Sequence, residues 1–494
     1  MANPTPERTL LAPGLEISRI VTGLWQVADM ERGGTPLDPE TSAKAMADYA
    51  AAGFDTFDMA DHYGSAEVIT GHYLTGIASK RFAAGPNGKP IAFTKWCPTP
   101  GPMTADVVRA GVERSLRRLQ VDAIDLLQFH WWTFDHLDYI EALEGLKALR
   151  AEGLIRNLGV TNFDTDHLRV AVKHGIPVAT NQVSFSLLDR RAAGAMSALC
   201  QETGVRLLAY GTLGGGFLSD HWLGQPEPAS LPDWSKSKYK RFIDVMGGWQ
   251  VLQGLLQALA AIGKKHGVSI SNVATRWVLQ QPAVAAIIVG ARLGEREHRA
   301  DNLKLFSFTL DGEDLGRIDG ALAAAAPIPG DCGDEYRKPP FLTASGDLSH
   351  HLSSVPKIYT ATPVPGRPGR SRVSSGSKWE VIAGHCRAVR VGNRIMVSGT
   401  TATHGAGKMI CPGDPTGQAV FILDKIAASL AALGGSMQDV VRTRVFLKDA
   451  DQWEGPSRVH GRYFRDVWPA NTLFEIGRLV GDYEIEIEAE AIVD

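Results

Sequence analysis

Short apolar runs bounded by turn residues alternate with helix-length periodic segments through the first two-thirds of the chain. The runs of strand length begin near Ile20, Phe54, Ile91, Ile124, Ile155, Pro177, Val205 and Ala285. The segment from Thr104, between two of these runs, opens on a capping residue and repeats valine and leucine at helical spacing. This alternation is typical of βα units arranged around a parallel sheet.

The number of strand candidates favours a closed sheet. Eight parallel strands close a (β/α)8 barrel, whereas doubly wound sheets usually have fewer strands and carry a GxGxxG motif after the first one. That motif is absent from the sequence. We therefore predict an α/β fold with a (β/α)8 TIM barrel over residues 1–326.

The character of the chain changes after the barrel. Residues 327–377 are rich in proline, glycine and serine and show no lasting periodicity, which predicts a linker. Strand and helix patterns return over residues 378–494, with a helix from Thr416 to Leu433 that ends at two glycines. These patterns predict a second, small α+β domain.

Composition narrows the classes of function. The 494 residues include 44% hydrophobic and 21% charged residues, as expected of a folded chain. The net charge of −3 favours neither nucleic acid nor an anionic membrane as a partner. Five scattered cysteines without a CxxC pair predict neither a disulfide framework nor a metal cluster. With no export signal or long apolar run in the sequence, we expect a cytoplasmic protein.

Polar residues follow three neighbouring strand candidates at the ends where a barrel carries its active site. Asp58, Lys95 and His130 end these strands, and Tyr63 follows Asp58. A tyrosine with a pKa near ~10 becomes an effective proton donor when a cation stabilises its phenolate, and Lys95 is suited to that role. Each residue alone reads as a cap, a surface group or core packing, but together they predict a carbonyl reductase in which His130 orients the carbonyl oxygen.

Motifs along residues 17–322 resemble the aldo-keto reductases: GFDTFDMADHYG, FTKW, DLLQFHWW, GVTNF, NQVSFS, AYGTLGGGFL and IIVGAR, in this order. The resemblance implies a (β/α)8 barrel and a catalytic tetrad of Asp58, Tyr63, Lys95 and His130. It also implies NAD(P)H-dependent reduction of an aldehyde or ketone, with Tyr63 as general acid. Trp25 and Trp131 match positions that line the substrate pocket beside Tyr63 and His130.

The same resemblance implies a cofactor site without a Rossmann domain. Its residues are Gly23, Leu24, Trp25, Asp58, Thr161, Asn162, Gln182, Tyr210, Gly211, Thr212, Leu213, Gly215, Gly290, Arg292, His298 and Asn302. His298 stands where many members have an arginine, which grips a phosphate with a two-pronged donor. With Arg292, Arg296 and Arg299 nearby, NADP(H) is still expected over NAD(H).

The C-terminal unit, residues 378–494, resembles the Rid/YjgF family of small trimeric proteins, many of which hydrolyse enamines and imines. The resemblance implies a homotrimer through this domain. Where hydrolytic members carry an arginine after Pro-Ala, this chain has Asn471, which lacks the charge that neutralises a carboxylate. Glu486 matches an acidic family position, but a face of glutamates paired with Arg442 and Arg444 on another strand is the favoured explanation.

Three functions remain open from the sequence. The first is reduction of a small-molecule carbonyl compound, with the C-terminal domain serving as a trimerisation or ligand-binding unit. The second is coupled processing of an imine or enamine, by C=N reduction or by hydrolysis followed by reduction. The third is an NADPH-binding regulator or scaffold.

Overall fold

The computed structural model describes residues 5–28, 35–231, 234–294, 298–337, 355–405 and 407–494. Two antiparallel strands, β1 (Arg8–Ala12) and β2 (Leu15–Ser18), come first. Eight parallel strands then close a barrel in which the last strand pairs with the first. They are β3 (Ile20–Gly23), β4 (Thr56–Asp58), β5 (Ile91–Trp96), β6 (Ile124–His130), β7 (Ile155–Thr161), β8 (Val178–Ser184), β9 (Arg206–Tyr210) and β10 (Val284–Gly290). The predicted (β/α)8 barrel is confirmed.

The hairpin of β1 and β2 fills one end of the barrel. Its residues Leu11, Leu15 and Ile17 are buried in one cluster with Phe93 and Leu126, which come from barrel strands. Because apolar side chains occupy this end, the polar strand ends meet at the opposite, carboxyl-terminal rim.

Helices surround the barrel. They are α1 (Pro39–Ala51), α2 (Ala66–Ala78), α3 (Ala105–Leu119), α4 (Tyr139–Ala151), α5 (Thr165–Lys173), α6 (Ala195–Thr203), α7 (Trp234–Met246), α8 (Trp249–His266), α9 (Ile270–Leu279), α10 (Arg299–Leu303) and α11 (Gly312–Leu322). Helix α3 forms as its pattern predicts: the Thr104 side chain accepts a hydrogen bond from the Val107 amide, and Val108, Val112, Leu116 and Leu119 form the buried face.

In the described part of the chain, no single helix is long and apolar enough to cross a membrane. Helices α7 and α8 meet that test only together, by length and composition, and they are bent by 96° where they join.

The C-terminal domain is a seven-stranded mixed sheet with helices. Its sheet strands are β11 (Ala361–Pro363), β12 (Arg370–Val373), β13 (Ala388–Val391), β14 (Arg394–Thr400), β17 (Val440–Leu447), β18 (Ala470–Glu475) and β19 (Ile485–Ile492), and its short hairpin is β15 (Thr403–His404) with β16 (Lys408–Met409). Its helices are α12 (Lys378–Ala383), α13 (Pro415–Ala432) and α14 (Glu454–Phe464). Helix α13 is buried along most of its length, which makes it the centre of this domain's core.

The segment predicted as a linker, residues 327–377, contains parts that pack with each of the two domains. Strands β11 and β12 already belong to the C-terminal sheet, and residues 328–337 pack against the barrel. Residues 338–354 lie outside the described residues. Pattern analysis missed the two strands because they are short and mostly exposed, so they carry no apolar alternation.

Helices α5 and α13 join the two domains through charged groups. Two nitrogens of Arg169 donate to Asp414 at 2.9 and 2.7 Å, and Arg462 on α14 pairs with Asp166. The His167 imidazole lies 3.0 Å from an Asp424 oxygen. Paired charges of this kind fix the two domains in one relative orientation.

Candidate active site

A buried ion pair lies at the carboxyl-terminal rim of the barrel. Lys95 Nζ donates to Asp58 Oδ2 at 2.7 Å and to the Met59 carbonyl at 2.8 Å. Both side chains are almost fully buried, with 3% and 4% of their surface exposed. The two residues meet because β4 and β5 are parallel neighbours in the barrel.

Side-chain amides satisfy the second oxygen of the carboxylate. Gln128 Nε2 and Gln182 Nε2 donate to Asp58 Oδ1 at 2.8 and 2.9 Å, and the two glutamines also bond to each other. A buried carboxylate with these partners is held in one orientation, and so is the ammonium group that it binds.

Tyr63 lies directly beside this ammonium group. Lys95 Nζ is 4.9 Å from the centre of the Tyr63 ring. The rings of Trp25 and His62 each pack edge-on against Tyr63, with centroids 4.8 Å away. The phenol is therefore packed in place next to a positive charge.

His130 ends the next strand and is buried. Burial is the largest cause that lowers its pKa well below the ordinary value, with His62 and nearby cations adding to the effect. Its Nε2 lies 3.4 Å from Asn162 Nδ2, and the Trp132 ring lies 4.1 Å from the imidazole. A neutral imidazole can hydrogen-bond to a carbonyl oxygen without bringing a charge into the site.

The tetrad opens into a cavity of about 890 Å³, a volume typical of ligand sites. Most residues of the predicted cofactor site line it: Gly23, Trp25, Asp58, Thr161, Asn162, Gln182, Tyr210, Gly211, Thr212, Leu213, Gly215, Gly290, Arg292, His298 and Asn302. Tyr63, Lys95 and His130 line the same cavity. The structure thus brings residues from distant parts of the sequence into one continuous space.

Two predicted contacts do not lie in that space. Leu24 is fully buried and is not among the lining residues. Trp131 is also fully buried, and its indole nitrogen donates to the His136 carbonyl at 3.1 Å. Neighbouring residues of an extended chain point in opposite directions, so Trp131 faces away from the side on which His130 lies. Arg296 lies outside the described residues.

Sequence reasoning missed several lining residues. Lys236, Lys238 and Tyr239 belong to α7, and Tyr336 follows the barrel. Lys238 Nζ donates to the Tyr336 hydroxyl at 2.7 Å, and that hydroxyl lies 3.1 Å from the Tyr210 hydroxyl. Neither segment has a motif or a strand end that places it at the rim, so no signal in the sequence could have identified these residues.

A nicotinamide dinucleotide fits these residues on two observations. Gly215 and Gly216 line the cavity with φ of 65° and 91°, a conformation that residues other than glycine rarely adopt, so backbone without side chains borders the space there. The Thr161 hydroxyl oxygen is buried and has no hydrogen-bond partner within the described residues. Backbone without side chains allows a pyrophosphate to approach closely, and a polar head group would give the Thr161 hydroxyl a hydrogen-bond partner.

Comparison with known proteins follows the same division of the chain. Residues 19–323 match the family model described as the aldo/keto reductase family. The chain belongs to the aldo/keto reductase family. Residues 376–493 match a second family model, described as endoribonuclease L-PSP, so this aldo/keto reductase is fused to a YjgF-like domain. The family consists of oxidoreductases that use nicotinamide cofactors, and this chain is one of them.

Individual relatives agree with that assignment. A 6-dehydroglucose reductase of Agrobacterium fabrum is 31% identical over 307 residues, covering 59% of this chain and 90% of that protein. An NADH-specific methylglyoxal reductase of Escherichia coli is 24% identical over 298 residues, covering 57% and 88%. The solved structure of a glycerol dehydrogenase from Gluconobacter oxydans is 25% identical with a TM-score of 0.52, covering 67% of this chain and 98% of that one.

In the YjgF-like domain, the Asn471 side chain is hydrogen-bonded to other residues of the same domain. Its side-chain nitrogen donates to Thr443 Oγ1 at 2.9 Å, and the same oxygen lies 2.8 Å from His460 Nε2. Arg444 pairs with Glu488 and Glu490 at 3.0 and 3.1 Å. These contacts pair two glutamates of that face with Arg444, and neither of them includes Glu486 or Arg442.

Proposed function

We propose that this protein reduces an aldehyde or ketone to an alcohol, with Tyr63 as the proton donor. The observation that carries the proposal is the buried Lys95–Asp58 pair at 2.7 Å, whose ammonium lies 4.9 Å from the Tyr63 ring centre. An adjacent cation favours the phenolate and so makes the phenol a better acid. Asp58 holds that cation in place.

The remaining residues orient the carbonyl group. An N–H of His130 hydrogen-bonds to the carbonyl oxygen, which polarises the C=O bond. When bound, the nicotinamide supplies a hydride to the carbonyl carbon. Tyr63 gives its proton to the same oxygen.

We further propose that NADP(H) is preferred over NAD(H). By family position, Thr161, Asn162 and Gln182 hold the nicotinamide end, Tyr210 stacks on its ring, and the loop from Gly211 follows the pyrophosphate. Arg292 lines the cavity together with His298 and Asn302, where the family positions place the adenosine phosphate, and a positive group there favours the cofactor with the additional phosphate. A relative named as NADH-specific makes this preference worth testing directly.

The substrate side favours a small carbonyl compound. Trp25 packs against Tyr63, and Tyr336 lies 5.8 Å from the His130 ring, so aromatic rings flank both groups that meet the carbonyl oxygen. The relatives named above act on small sugar-derived or dicarbonyl compounds. We expect substrates of similar size.

For the assembly we propose a homotrimer formed through the YjgF-like domain, in the cytoplasm. The C-terminal family match supports the trimer, and the five cysteines, all present as free thiols, suit a reducing compartment. Sedimentation equilibrium of the full chain measures the mass; a monomer at micromolar concentration contradicts the trimer.

The proposal is tested by oxidation of NADPH against a panel of aldehydes and ketones. We expect Tyr63→Phe to lower kcat at least ~100-fold while cofactor binding persists, because the proton donor is lost. Tyr139→Phe is the matched control. Tyr139 has a buried hydroxyl with no hydrogen-bond partner within the described residues, so its removal leaves turnover unchanged. Cofactor binding without turnover in the wild type contradicts the reductase and favours a sensing role.

A further inference from the structure

A short segment beyond the family match reaches into the cofactor site. The match ends at residue 323, yet Arg337 donates from both terminal nitrogens to the backbone carbonyl of Asn162 at 2.7 Å. Gly333 lies so close that a Cβ there would be 2.2 Å from the same carbonyl oxygen. Residues 331–337 therefore clamp the backbone of a residue expected to hold the nicotinamide.

Asn162 needs such a clamp because its backbone is in an unfavourable conformation. Its φ is 56°, in the left-handed region, where residues other than glycine are uncommon. This conformation sends its side chain toward the tetrad: Nδ2 lies 3.4 Å from His130 Nε2, and Oδ1 accepts from the Tyr210 hydroxyl at 2.8 Å. Strained backbone at a functional site persists only where its surroundings hold it.

Arg337 is in turn connected to the C-terminal domain. One of its nitrogens lies 3.6 Å from Asp164 Oδ2. Asp164 lies 2.8 Å from His167 Nδ1, and His167 Nε2 lies 3.0 Å from Asp424 Oδ2 on α13. The path runs through buried side chains from the YjgF-like domain to the cofactor site.

The geometry gives Asp424 a specific influence on Arg337. His167 has a carboxylate at each ring nitrogen, so both nitrogens carry protons and Asp164 binds a positive imidazolium. Without the Asp424 charge, His167 loses a proton and Asp164 keeps Arg337 as its remaining cation. The 3.6 Å contact then closes at the expense of the bonds from Arg337 to the Asn162 carbonyl.

We propose that Arg337 is a positioning residue for Asn162. We also propose that the C-terminal domain controls the hydrogen bonds from Arg337 to the Asn162 carbonyl, through Asp424 and His167. The inference rests on the proposed function only in that Asn162 contacts the nicotinamide. This proposal gives the YjgF-like domain a role in cofactor binding that neither of the two family matches implies.

The test measures equilibrium binding in the full chain, so it does not depend on turnover. The two probes are NADPH and adenosine 2′,5′-bisphosphate, which lacks the nicotinamide. We expect Arg337→Met to raise the Kd for NADPH about 10-fold, the effect of losing charged hydrogen bonds, and to leave the bisphosphate Kd unchanged. Arg337→Lys recovers part of the loss. Asp424→Asn raises the NADPH Kd about 3-fold, again without an effect on the bisphosphate.

Arg169→Met is the matched control, because it breaks an ion pair across the same interface that does not lead to Asn162. The positioning role is overturned if Arg337→Met weakens the binding of both probes equally. It is also overturned if Arg169→Met and Asp424→Asn raise the Kd for NADPH equally. An unchanged NADPH Kd in Arg337→Met, in a wild type that turns over, overturns it while the reductase stands. A wild type that does not bind NADPH overturns both.

Discussion

We expect the preference between NADPH and NADH to depend most directly on His298. It lines the cavity with Arg292 and Asn302 at a position where many family members have an arginine. A histidine offers one donor to a phosphate, and its charge depends on pH, whereas an arginine offers a permanent charge and paired donors.

We therefore expect His298→Arg to raise the ratio of kcat/KM with NADPH to kcat/KM with NADH by about 10-fold, the value of one charged hydrogen bond. Steady-state kinetics with both cofactors measures the ratio. His385→Arg adds the same charge at an exposed site in the C-terminal domain and controls for net charge. A ratio that moves equally in both variants contradicts a phosphate contact at residue 298.

At the scale of elements, the close approach of α3 to β5 is an unusually strict packing requirement. A Cβ on Gly111 would lie 2.3 Å from the indole nitrogen of Trp96, which is itself buried. Gly254, in α8, has no atom within 4 Å of such a Cβ.

Replacing glycine by alanine should consequently change the free energy of unfolding in opposite directions at these two positions. Gly111→Ala forces Trp96 to move and lowers the free energy of unfolding by about 1–3 kcal/mol. Gly254→Ala raises it by about 0.5–1 kcal/mol, because alanine restricts the unfolded chain at no steric cost. Urea unfolding monitored by circular dichroism measures both, and a stabilised Gly111→Ala contradicts the tight contact.

Elements with a strong apolar pattern were predictable. Each predicted barrel strand begins within two residues of the observed one, the largest offset being Phe54 against Thr56. That Asp58, Tyr63, Lys95 and His130 meet at one rim was predictable as well, since they follow those strands. Strands β11 and β12, helix α7 and the segment around Tyr336 were not, because tertiary contacts rather than periodicity decide where they lie.

At the scale of the whole molecule, the interface between the domains holds a charged histidine. Burial opposes the charge on His167, but the carboxylates of Asp164 and Asp424 outweigh it and raise its pKa to about 9. Since the ordinary pKa is 6.5, this group stabilises the folded chain fully below pH 6.5, and the stabilisation is lost as pH rises toward 9. Nearby, burial raises the pKa of Asp166 to about 6 despite its partner Arg462, so most of its titration lies below this window.

We expect the difference in free energy of unfolding between wild type and His167→Gln to shrink by about 3 kcal/mol between pH 6.5 and pH 9. The difference is the right quantity because burial lowers the pKa of Lys425 to about 7, which makes stability rise with pH over the same range in both proteins. Urea titrations at several pH values measure it. A difference that does not change with pH contradicts a charged His167.

The clamp on Asn162 also changes how a dissection of this gene should be interpreted. A fragment ended where the family match ends, at residue 323, encodes every barrel strand but omits Gly333 and Arg337. Loss of cofactor binding by that fragment is already expected from the missing fourteen residues up to Arg337 (337 − 323 = 14), so it would not demonstrate a need for the YjgF-like domain. The contributions of the barrel and of the YjgF-like domain to cofactor binding can be separated only when the chain is cut after Arg337.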